Sequence, residues 1–509
     1  MARDSVWQAK EVELKLAFEP GDAGRIASHP ALSASLAPAQ EQRLISTYFD
    51  TPDFTLHKAG VYLRVREIGG RYVQTVKTAK SKTDLIERLE WEREIAGRDP
   101  DLDGAEGTAL QPLLNPQIRA ALQPVFETRI RRTLYRIAQN GAEIEVAIDQ
   151  GEIATRKHIS PICELELELK RGETRELFRL ARSLAEAAPL RLAVKTKAER
   201  GYELLEGGDL RLERAADIDI EPEMATADAF RAIAGSCLRQ IIANEPLLCA
   251  GDAEGLHQMR IGLRRLRAAI AIFAGIFGGE EREKIKAELK WITGELGPAR
   301  DLDAFATDVL EPLRASHPGD ADLAATHRDF ESKRKQAYIR AASCVKSIRF
   351  GDTILDLVEW IETGPWTTDD DKERKALRRR PAAKHANKML TKLRRRVKRK
   401  GAGLRHLSVG QRHRLRISAK RLRYATEFFA ATFPGEASAK RRLESLSALK
   451  DLQDSLGGLN DLATRHALIA GGLAAGKARL AAPETEDALL LKAEQAFARL
   501  AETKPFWKA

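Results

Sequence analysis

The first part of the chain alternates between apolar and polar residues in short runs that turn-forming residues separate. Alternation with a period of two is the pattern of a β-strand that has one buried and one polar face. The pairs Gly69-Gly70 and Asn140-Gly141 stand between such runs as two-residue hairpin loops. Several antiparallel strands in one domain indicate a barrel or a sandwich. The predicted strands are 11–18, 61–67, 72–77, 85–95, 133–138, 142–149 and 162–170.

The pattern changes near residue 224. From there onward, apolar residues recur with the helical period in long segments that are rich in Ala, Leu, Arg and Glu. The stretch 206–222 contains Gly207-Gly208 and is the predicted linker region. We therefore predict an α+β multidomain protein, with a first domain at 1–210, a linker at 211–222 and an all-α domain at 223–509.

The helical half contains an internal repeat, because the motif that begins at His257 recurs at His413, 156 residues later. In both copies the basic residues fall at the same offsets, within about 80° of the helix circumference, so they form one stripe on each helix. The stripes are His257, Arg260, Arg264 and Arg267, and His413, Arg416, Lys420 and Arg423. A Leu-Gly turn is predicted after each copy, at Leu296-Gly297 and at Leu456-Gly457. Two related helical bundles are the simplest explanation.

The net charge of +11 is distributed unevenly. Residues 1–210 carry 31 Lys and Arg against 33 Asp and Glu, whereas residues 211–509 carry 54 against 41. This basic excess, densest at 372–423, indicates that the helical half binds a polyanion. Nucleic acid is disfavoured, because the region has few aromatic residues for stacking and no recognition-helix or zinc-finger motif.

The first residues, the lengths of the apolar runs and the cysteines indicate the cellular compartment. The first residues carry acids and lack an apolar run of signal-peptide length, and no window has the roughly 18 consecutive apolar residues that a membrane span needs. The four cysteines are scattered, without the spacing of a zinc site. We therefore expect a cytoplasmic protein with reduced thiols and no membrane partner.

The predicted strands of the first domain each carry one charged face. Glu11, Glu13 and Lys15 are two residues apart, so their side chains point to the same side of a strand. The same spacing joins Arg64 with Arg66, Thr75 with Lys77, Arg88 with Glu90 and Glu92, Glu143 with Glu145, and Glu164 with Glu166 and Glu168. On a single strand, a charged face ordinarily belongs to the solvent-exposed side of a sheet. Six strands have such a charged face, and their apolar faces must be buried in a core. We therefore favour a closed barrel with a charged interior and with helices covering its apolar outside.

Carboxylates that converge inside a barrel cannot all stay ionised unless cations lie between them. Oxygen ligands without a His or Cys cluster favour a hard divalent cation, Mg²⁺ or Mn²⁺. The interleaved Arg and Lys residues would then bind an anionic substrate that also ligates the metal, which indicates a polyphosphate. A P-loop is excluded, because the sequence contains no Gly-x-x-x-x-Gly-Lys-Ser/Thr motif.

At these positions the sequence resembles the CYTH family, also called triphosphate tunnel metalloenzymes. Residues 11–15 match its Glu-x-Glu-x-Lys signature, and Tyr48-Phe49-Asp50-Thr51 is similar to another of its motifs. Further matches follow in order over about 7–205, at 63–66, 75–77, 88–90, 148–151, 163–168 and 197–201. The resemblance implies a closed antiparallel barrel of eight strands, the triphosphate tunnel, with flanking helices.

The resemblance also implies roles for individual residues. Those expected to bind phosphate are Lys15, Arg64, Arg66, Lys77, Arg88, Arg132, Lys197 and Arg200. Those expected to hold metal are Glu11, Glu13, Asp149, Glu166 and Glu168. The catalytic group is Glu11, Glu13, Lys15 and Glu90, where Glu90 belongs either to the metal ligands or to the groups that position water. Which two of Glu164, Glu166 and Glu168 are ligands stays open.

The repeated motif of the helical half resembles the CHAD domain, a conserved-histidine helical domain, over about 223–509, with repeats at about 223–365 and 380–509. The resemblance implies that inorganic polyphosphate binds in a basic groove between the two bundles, along the two stripes. His257 and His413 are equally well explained as anion contacts or as core residues.

The predicted function is a metal-dependent inorganic triphosphatase that hydrolyses tripolyphosphate to pyrophosphate and phosphate with Mg²⁺ or Mn²⁺. In this scheme an in-line water attacks the terminal phosphoanhydride, one metal neutralises charge on the chain and a second orients the water. The helical domain is predicted to bind long-chain polyphosphate. Alternatives are a thiamine triphosphatase or an adenylate cyclase on the same tunnel. A non-enzymatic polyphosphate-binding protein is disfavoured, since a binder does not need so many metal-ligating acids.

Overall fold

The computed structural model describes residues 7–78, 86–208, 210–470 and 485–508. Within these residues the first part of the chain forms one sheet of nine strands, all of whose pairings are antiparallel. None of the described helices is long and apolar enough to cross a membrane. The strands are β1 Trp7–Ala17, β2 Gln40–Asp50, β3 Val61–Ile68, β4 Arg71–Thr78, β5 Glu87–Ile95, β6 Gln123–Gln139, β7 Ala142–Ala154, β8 Ile159–Arg171 and β9 Arg191–Leu192.

The strand order is β5-β4-β3-β2-β6-β7-β8-β1-β9, and β1 also pairs with β5. Strand β1 changes partner along its length: Trp7–Val12 pair with β5, and Glu13–Ala17 pair with β8. The eight longer strands therefore form a continuous ring of pairings, while the two-residue strand β9 lies beside the end of β1. The expected closed sheet of eight strands was therefore only partly right. The described sheet has nine strands, and β9 leaves an open edge outside the ring.

The hairpin predictions are confirmed. Strands β3 and β4 are joined through Gly69 and Gly70, with φ of 56° and 79°, and β6 and β7 through Asn140 and Gly141, with φ of 50° and 79°. Positive φ at both loop residues matches the right-handed twist of the strands, and it costs little for Gly and Asn. Every predicted strand is present, but most are longer than the alternation indicated.

Two strands had not been predicted, β2 and β9. Strand β2 begins with the polar run Gln40–Arg43, whose side chains are largely exposed, so its alternation becomes visible only from Leu44 onward. Strand β9 is too short for any pattern to show.

Short helices cover the outside of the sheet. They are α1 Ala23–Ala27, α2 Pro30–Ser33, α3 Thr55–Lys58, α4 Pro116–Ala121, α5 Arg175–Ala185 and α6 Lys197–Leu205. Phe178 of α5 is fully buried in the same apolar cluster as Leu14, Leu165 and Val146 from three strands. The outward faces of β1, β7 and β8 are thus apolar and covered at this helix, as the prediction of a charged interior required.

The second part of the chain is helical. Its helices are α7 Thr226–Ile242, α8 Glu245–Cys249, α9 Ala253–Ile272, α10 Gly279–Glu295, α11 Gly297–Phe305, α12 Glu311–Ser316, α13 Ala321–Val345, α14 Ile348–Thr363, α15 Lys372–Arg379, α16 Ala382–Gly401, α17 Val409–Phe428, α18 Glu436–Ala470 and α19 Glu486–Glu502. Apolar side chains of α7, α9, α14 and α17 belong to the same continuous core as those of the sheet. Burial of apolar surface therefore joins the two parts of the chain.

The predicted Leu-Gly turn is present after the first copy of the repeat but is wrong for the second. Helix α10 ends before Leu296 and α11 begins at Gly297, with Pro298 in its first turn. In the second copy Gly457 and Gly458 lie inside the continuous helix α18. No proline follows them there, and glycine inside a helix costs only about 1 kcal/mol, which tertiary packing overrides.

Candidate functional site

A cavity of about 230 Å³ lies within the ring of strands. All eight longer strands and the start of α6 contribute to its wall. The wall residues are Glu11, Glu13, Lys15, Tyr48, Tyr62, Arg64, Arg66, Lys77, Thr78, Glu90, Glu92, Arg132, Glu145, Glu166, Glu168, Lys170, Thr196, Lys197 and Ala198. We call this cavity the tunnel. The charged faces of the strands therefore point inward.

Most of the residues predicted for the first domain meet in the tunnel. Asp149 lies just behind its wall, fully buried, and bonds to two wall residues. Arg200 is not a wall residue of the tunnel but lines a separate pocket, where it donates to Glu164 at 2.9 Å and to the carbonyl of Pro161 at 2.6 Å. Arg88 pairs with Glu11 through the backbone, but its side chain lies outside the described residues.

One wall of the tunnel is a network of ion pairs around Glu166. Its carboxylate lies 2.8 Å from Lys15 Nζ, 2.6 Å from Lys197 Nζ and 2.6 Å from Arg132 Nη2. Burial would raise the pKa of Glu166, but these three cations outweigh burial and hold the pKa well below its usual range. Glu166 is therefore ionised and saturated with partners.

Asp149 joins the same network from behind the wall. It accepts two hydrogen bonds of 2.7 Å from the guanidinium of Arg132 and one of 2.8 Å from Lys197. Burial opposes ionisation, but the charge of Lys197 lowers the pKa of Asp149 all the same. Two-pronged Arg–carboxylate pairing of this kind fixes direction as well as distance.

A second group of charges is organised around Glu90 on β5, which is separated from β8 by β1. Arg64 Nη2 lies 3.3 Å from its carboxylate, and Lys77 also donates to it. Burial would raise the pKa of Glu90, but Lys77 and Arg64 outweigh it and hold the pKa below its usual range. Glu90 thus carries a negative charge in the tunnel at neutral pH.

The pKa of Glu11 is shifted in the opposite direction. Burial raises its pKa to about 8, and the nearby carboxylates of Glu90 and Glu168 add to the shift against the charge of Lys77. Burial also raises the pKa of Glu168, helped by Glu145 and Glu13. Acidic side chains therefore crowd this end of the tunnel beyond what the neighbouring cations compensate.

These carboxylates fit a hard divalent cation in their chemistry. Their donors are oxygen only, and a bound cation would relieve the crowding that raises the pKa of Glu11. Within the described part of the chain, no group of three or more His, Cys, Asp or Glu side chains is already arranged as a metal site. Glu13 and Glu168 each lie near a lysine instead, Lys15 at 3.8 Å and Lys170 at 2.5 Å.

Arg66 differs from the other basic residues of the tunnel. Its Nε donates to Ser46 Oγ at 3.2 Å, and no ion pair joins it to a carboxylate among the described residues. Burial lowers its pKa to about 10, together with the neighbouring charges of Arg64 and Arg132. Arg66 is half-buried beside two other arginines, so its guanidinium has capacity to pair with an anion.

Sequence reasoning missed Tyr48, Tyr62 and Lys170 as wall residues. Tyr48 lies on the unpredicted strand β2, where Ser46 and Tyr48 are both buried and two residues apart. Its hydroxyl hydrogen-bonds with Arg64. Lys170 had a visible signal, because it continues the two-residue spacing of Glu164, Glu166 and Glu168.

The motif Tyr48-Phe49-Asp50-Thr51 serves the fold through Asp50. This fully buried carboxylate accepts hydrogen bonds from the backbone N–H groups of Leu56 and His57 at 2.9 and 3.0 Å, and from the Tyr202 hydroxyl at 2.8 Å. Tyr202 belongs to α6, so Asp50 ties that helix to the sheet. Gly201 allows the close approach, because a Cβ there would lie 2.1 Å from the Phe126 ring.

The two basic stripes of the helical part lie on α9 and α17, which pack against each other. Lys420 of α17 is half-buried between them. Burial lowers its pKa to about 8, and four arginines contribute, in order Arg416, Arg264, Arg423 and Arg260. The centres of the two stripes therefore lie close together on packed helices, and we call the surface that they share the basic groove.

Several polar atoms of the basic groove are buried without a hydrogen-bond partner among the described residues. They are His257 Nδ1, Arg264 Nε and Arg416 Nε. The glycines of the repeat lie beside the stripes, since a Cβ at Gly297 would be 3.5 Å from Arg260 Nη1, and one at Gly457 would be 3.5 Å from Arg416 Nη2. The two copies thus build the same local arrangement.

The two histidines are placed differently. His257 is half-buried, and burial lowers its pKa, with Arg300 adding to the shift. His413 is exposed. Arg267 is also exposed, and Arg423 is paired with Glu427 at 2.8 Å. The stripes are therefore most alike at their centres, at Arg260 with Arg264 and Arg416 with Lys420.

Comparison with known proteins agrees with this architecture. Residues 9–202 match the family model of the CYTH domain, and residues 232–470 match that of the CHAD domain. An inorganic triphosphatase of Haemophilus influenzae is 32% identical over 196 residues, which are 38% of this chain and 54% of that protein. The match thus spans about half the length of that relative.

Solved structures resemble each part separately. The CHAD domain of Ricinus communis is 27% identical, covering 58% of this chain and 92% of its own, with a TM-score of 0.45. An adenylyl cyclase candidate of Hippeastrum, described as having a dominant triphosphatase activity, is 18% identical, covering 40% and 97%, with a TM-score of 0.29.

The first part of the chain is a ring of antiparallel strands with a charged interior, and the second is a basic helical region. The chain is a fusion of a CYTH domain with a CHAD domain.

Proposed function

We propose that the CYTH domain of this protein is a metal-dependent triphosphatase that hydrolyses tripolyphosphate to pyrophosphate and phosphate. The observation that carries the proposal is the convergence of basic and acidic side chains in one cavity of about 230 Å³. A cavity lined only with phosphate-binding cations would suit a binding protein. The crowded carboxylates near Glu11 are what a hydrolase with a divalent cation requires. The similarity to an inorganic triphosphatase supports the same activity.

The basic residues of the tunnel bind the phosphate chain. Arg66, which has no carboxylate partner among the described residues, accepts a phosphoryl group without losing another contact. Lys15, Arg132 and Lys197 exchange part of their pairing with Glu166 for pairing with phosphate oxygens. The arrangement thus orients the chain before any bond is broken.

The acidic residues divide into two groups by their ionisation. Glu90, which Lys77 and Arg64 keep ionised, orients the attacking water by accepting a hydrogen bond from it. Glu11, Glu13, Asp149, Glu166 and Glu168 are the residues that would hold Mg²⁺ or Mn²⁺. A divalent cation held there would neutralise the charge that develops on the phosphoryl oxygens.

The CHAD domain is proposed to bind long-chain polyphosphate in the basic groove. Unpartnered nitrogens on His257, Arg264 and Arg416, together with the lowered pKa of Lys420, support an anionic ligand. A linear phosphate polymer repeats its charge regularly, as the two matched stripes do.

The deciding experiment measures phosphate release from tripolyphosphate, ATP, thiamine triphosphate and long-chain polyphosphate, each with Mg²⁺ or Mn²⁺. We expect the highest kcat/KM for tripolyphosphate. A preference for thiamine triphosphate, or cyclic AMP formation from ATP, would assign the tunnel to an organic triphosphate instead. Absence of release from all four substrates would contradict the enzymatic proposal.

A further inference from the structure

Helix α6 carries a tunnel residue at its very beginning. Lys197 is the first residue of the helix and lies 2.8 Å from Asp149 and 2.6 Å from Glu166. Its position along the tunnel is therefore set by where the first turn of α6 lies.

A reciprocal cap fixes that first turn. The Oγ1 of Thr196 accepts a hydrogen bond of 3.0 Å from the Glu199 N–H, and Glu199 Oε2 accepts one of 2.7 Å from the Thr196 N–H. Such capping boxes satisfy N–H groups that a helix start otherwise leaves unpaired. Only one of the two Glu199 carboxylate oxygens is used in the cap.

The other oxygen is bound by an arginine of the CHAD domain. Arg239, on α7, donates through Nη2 to Glu199 Oε1. Its Nη1 donates at 3.0 Å to the carbonyl of Val194, two residues before Thr196. Arg239 is 6% exposed, so this contact is shielded from water. The guanidinium thus holds the segment that leads into α6 and the cap of α6 at the same time.

We propose that Arg239 is a positioning residue for the tunnel, so that the CHAD domain completes the substrate site of the CYTH domain. The inference rests on the proposed function, because it assigns Arg239 an effect on triphosphate binding through Lys197. The planar guanidinium bridges two acceptors in fixed directions, which a point charge cannot do. It follows that the tunnel is not fully formed by residues 9–202 alone.

A purely structural contact between the two domains provides the matched control. Arg182 of α5 pairs with Asp356 of α14 at 2.7 Å and with Glu359. This pair also joins the two domains, and Arg182 is more exposed than Arg239. Among the described residues, no hydrogen bond or ion pair joins Arg182 to α6 or to a wall residue of the tunnel.

The test compares Arg239→Met, Arg239→Lys and Arg182→Met in the full chain. We expect Arg239→Met to lower kcat/KM for tripolyphosphate about 10- to 100-fold, mainly through KM, because Lys197 binds ground-state phosphate. Arg239→Lys should recover part of the loss, since it keeps a cation near Glu199. Arg182→Met should change kcat/KM less than about twofold.

A double-mutant cycle separates positioning from loss of stability. In a Lys197→Ala background, adding Arg239→Met should change KM less than about twofold, because the residue through which it acts is gone. Equal fold-changes in both backgrounds would mean that Arg239 does not act through Lys197, and would overturn the inference. Thermal unfolding of each variant shows which changes come from a less stable fold.

The outcomes also separate this inference from the proposed function. An active wild type whose KM is unchanged by Arg239→Met overturns the inference alone. A wild type that neither hydrolyses tripolyphosphate nor binds it in calorimetry with Mg²⁺ overturns both. If the wild type binds tripolyphosphate but does not hydrolyse it, the tripolyphosphate affinities of the same variants replace KM in the double-mutant cycle.

Discussion

The tunnel and the basic groove both contain several basic side chains. Only in the tunnel do neighbouring carboxylates neutralise them. In the tunnel, Lys197 lies within 3.0 Å of Asp149, Glu164 and Glu166. In the groove, the four charged groups that most affect the pKa of Lys420 are all arginines. The tunnel thus contains its own counter-charges, whereas the charges of the groove remain largely uncompensated within the described residues.

This difference indicates two modes of anion binding. An anion that enters the tunnel must replace carboxylates as partners of the basic residues, and the displaced carboxylates then need a cation. An anion that enters the groove only relieves repulsion between like charges. Binding in the tunnel should therefore depend on a divalent metal, and binding in the groove should not.

The largest expected effect comes from removing divalent ions. Chelation should abolish phosphate release from tripolyphosphate, because the carboxylates near Glu11 would have no counter-ion. Binding of long-chain polyphosphate by the same sample should persist. A phosphate-release assay and a fluorescence titration with and without chelator check both statements. If chelation reduced phosphate release and polyphosphate binding equally, the proposed difference in metal dependence between tunnel and groove would be wrong.

The next effect in size is that of Glu11→Gln, which keeps the shape of the side chain and removes its ability to ionise. We expect phosphate release to fall about 100-fold or more, beyond the range seen for groups that only support a metal ligand. Polyphosphate binding should not change. The matched control is Glu127→Gln on the same sheet, where Glu127 pairs with Arg129 outside the tunnel. A Glu11→Gln variant as active as the control would contradict the assignment.

A smaller effect is expected in the groove from Arg416→Ala. Loss of one phosphate contact should weaken polyphosphate binding about tenfold at low salt and reduce the salt dependence of log K by about 1. Arg412→Ala, on the same helix, is the control, because Arg412 already pairs with Glu486 at 2.9 Å. Tripolyphosphate hydrolysis should be unchanged in both variants. The salt dependence is measured by titration at several ionic strengths.

The smallest effect is a pH dependence in the groove. The pKa of Lys420 is lowered to about 8, so its charge is present below that pH and is lost as the pH rises through it. Polyphosphate affinity should therefore fall about three- to fivefold between about pH 7 and about pH 9. Lys420→Arg should remove this decline, since arginine stays charged. A decline that persists in Lys420→Arg would assign it to another group.

Local patterns were sufficient to predict most of the sheet and the inward direction of its charges. Two-residue spacing placed Glu11, Glu13 and Lys15 on one face, and all three lie on the tunnel wall. The hairpins were predicted because positive φ favours Gly and Asn in the loop. These features depend on neighbours in the chain, and the sequence shows those neighbours directly.

The remaining features depend on contacts between distant parts of the chain. Strand β2 was missed because its first residues are exposed, and Tyr48 was missed as a wall residue with it. The prediction of a second Leu-Gly turn was wrong because α18 continues through Gly457 and Gly458, where Leu489 of α19 packs against it. Nothing in the sequence near Arg239 indicates that its partner is the cap of α6, 40 residues earlier.

The most direct test of the central claim is a structure of the full chain with tripolyphosphate and Mn²⁺, whose anomalous scattering locates the metal. We expect the triphosphate inside the ring of strands, in contact with Arg66 and Lys197, and Mn²⁺ beside Glu11 and Glu13. Triphosphate found only in the basic groove, with no metal in the tunnel, would contradict the account.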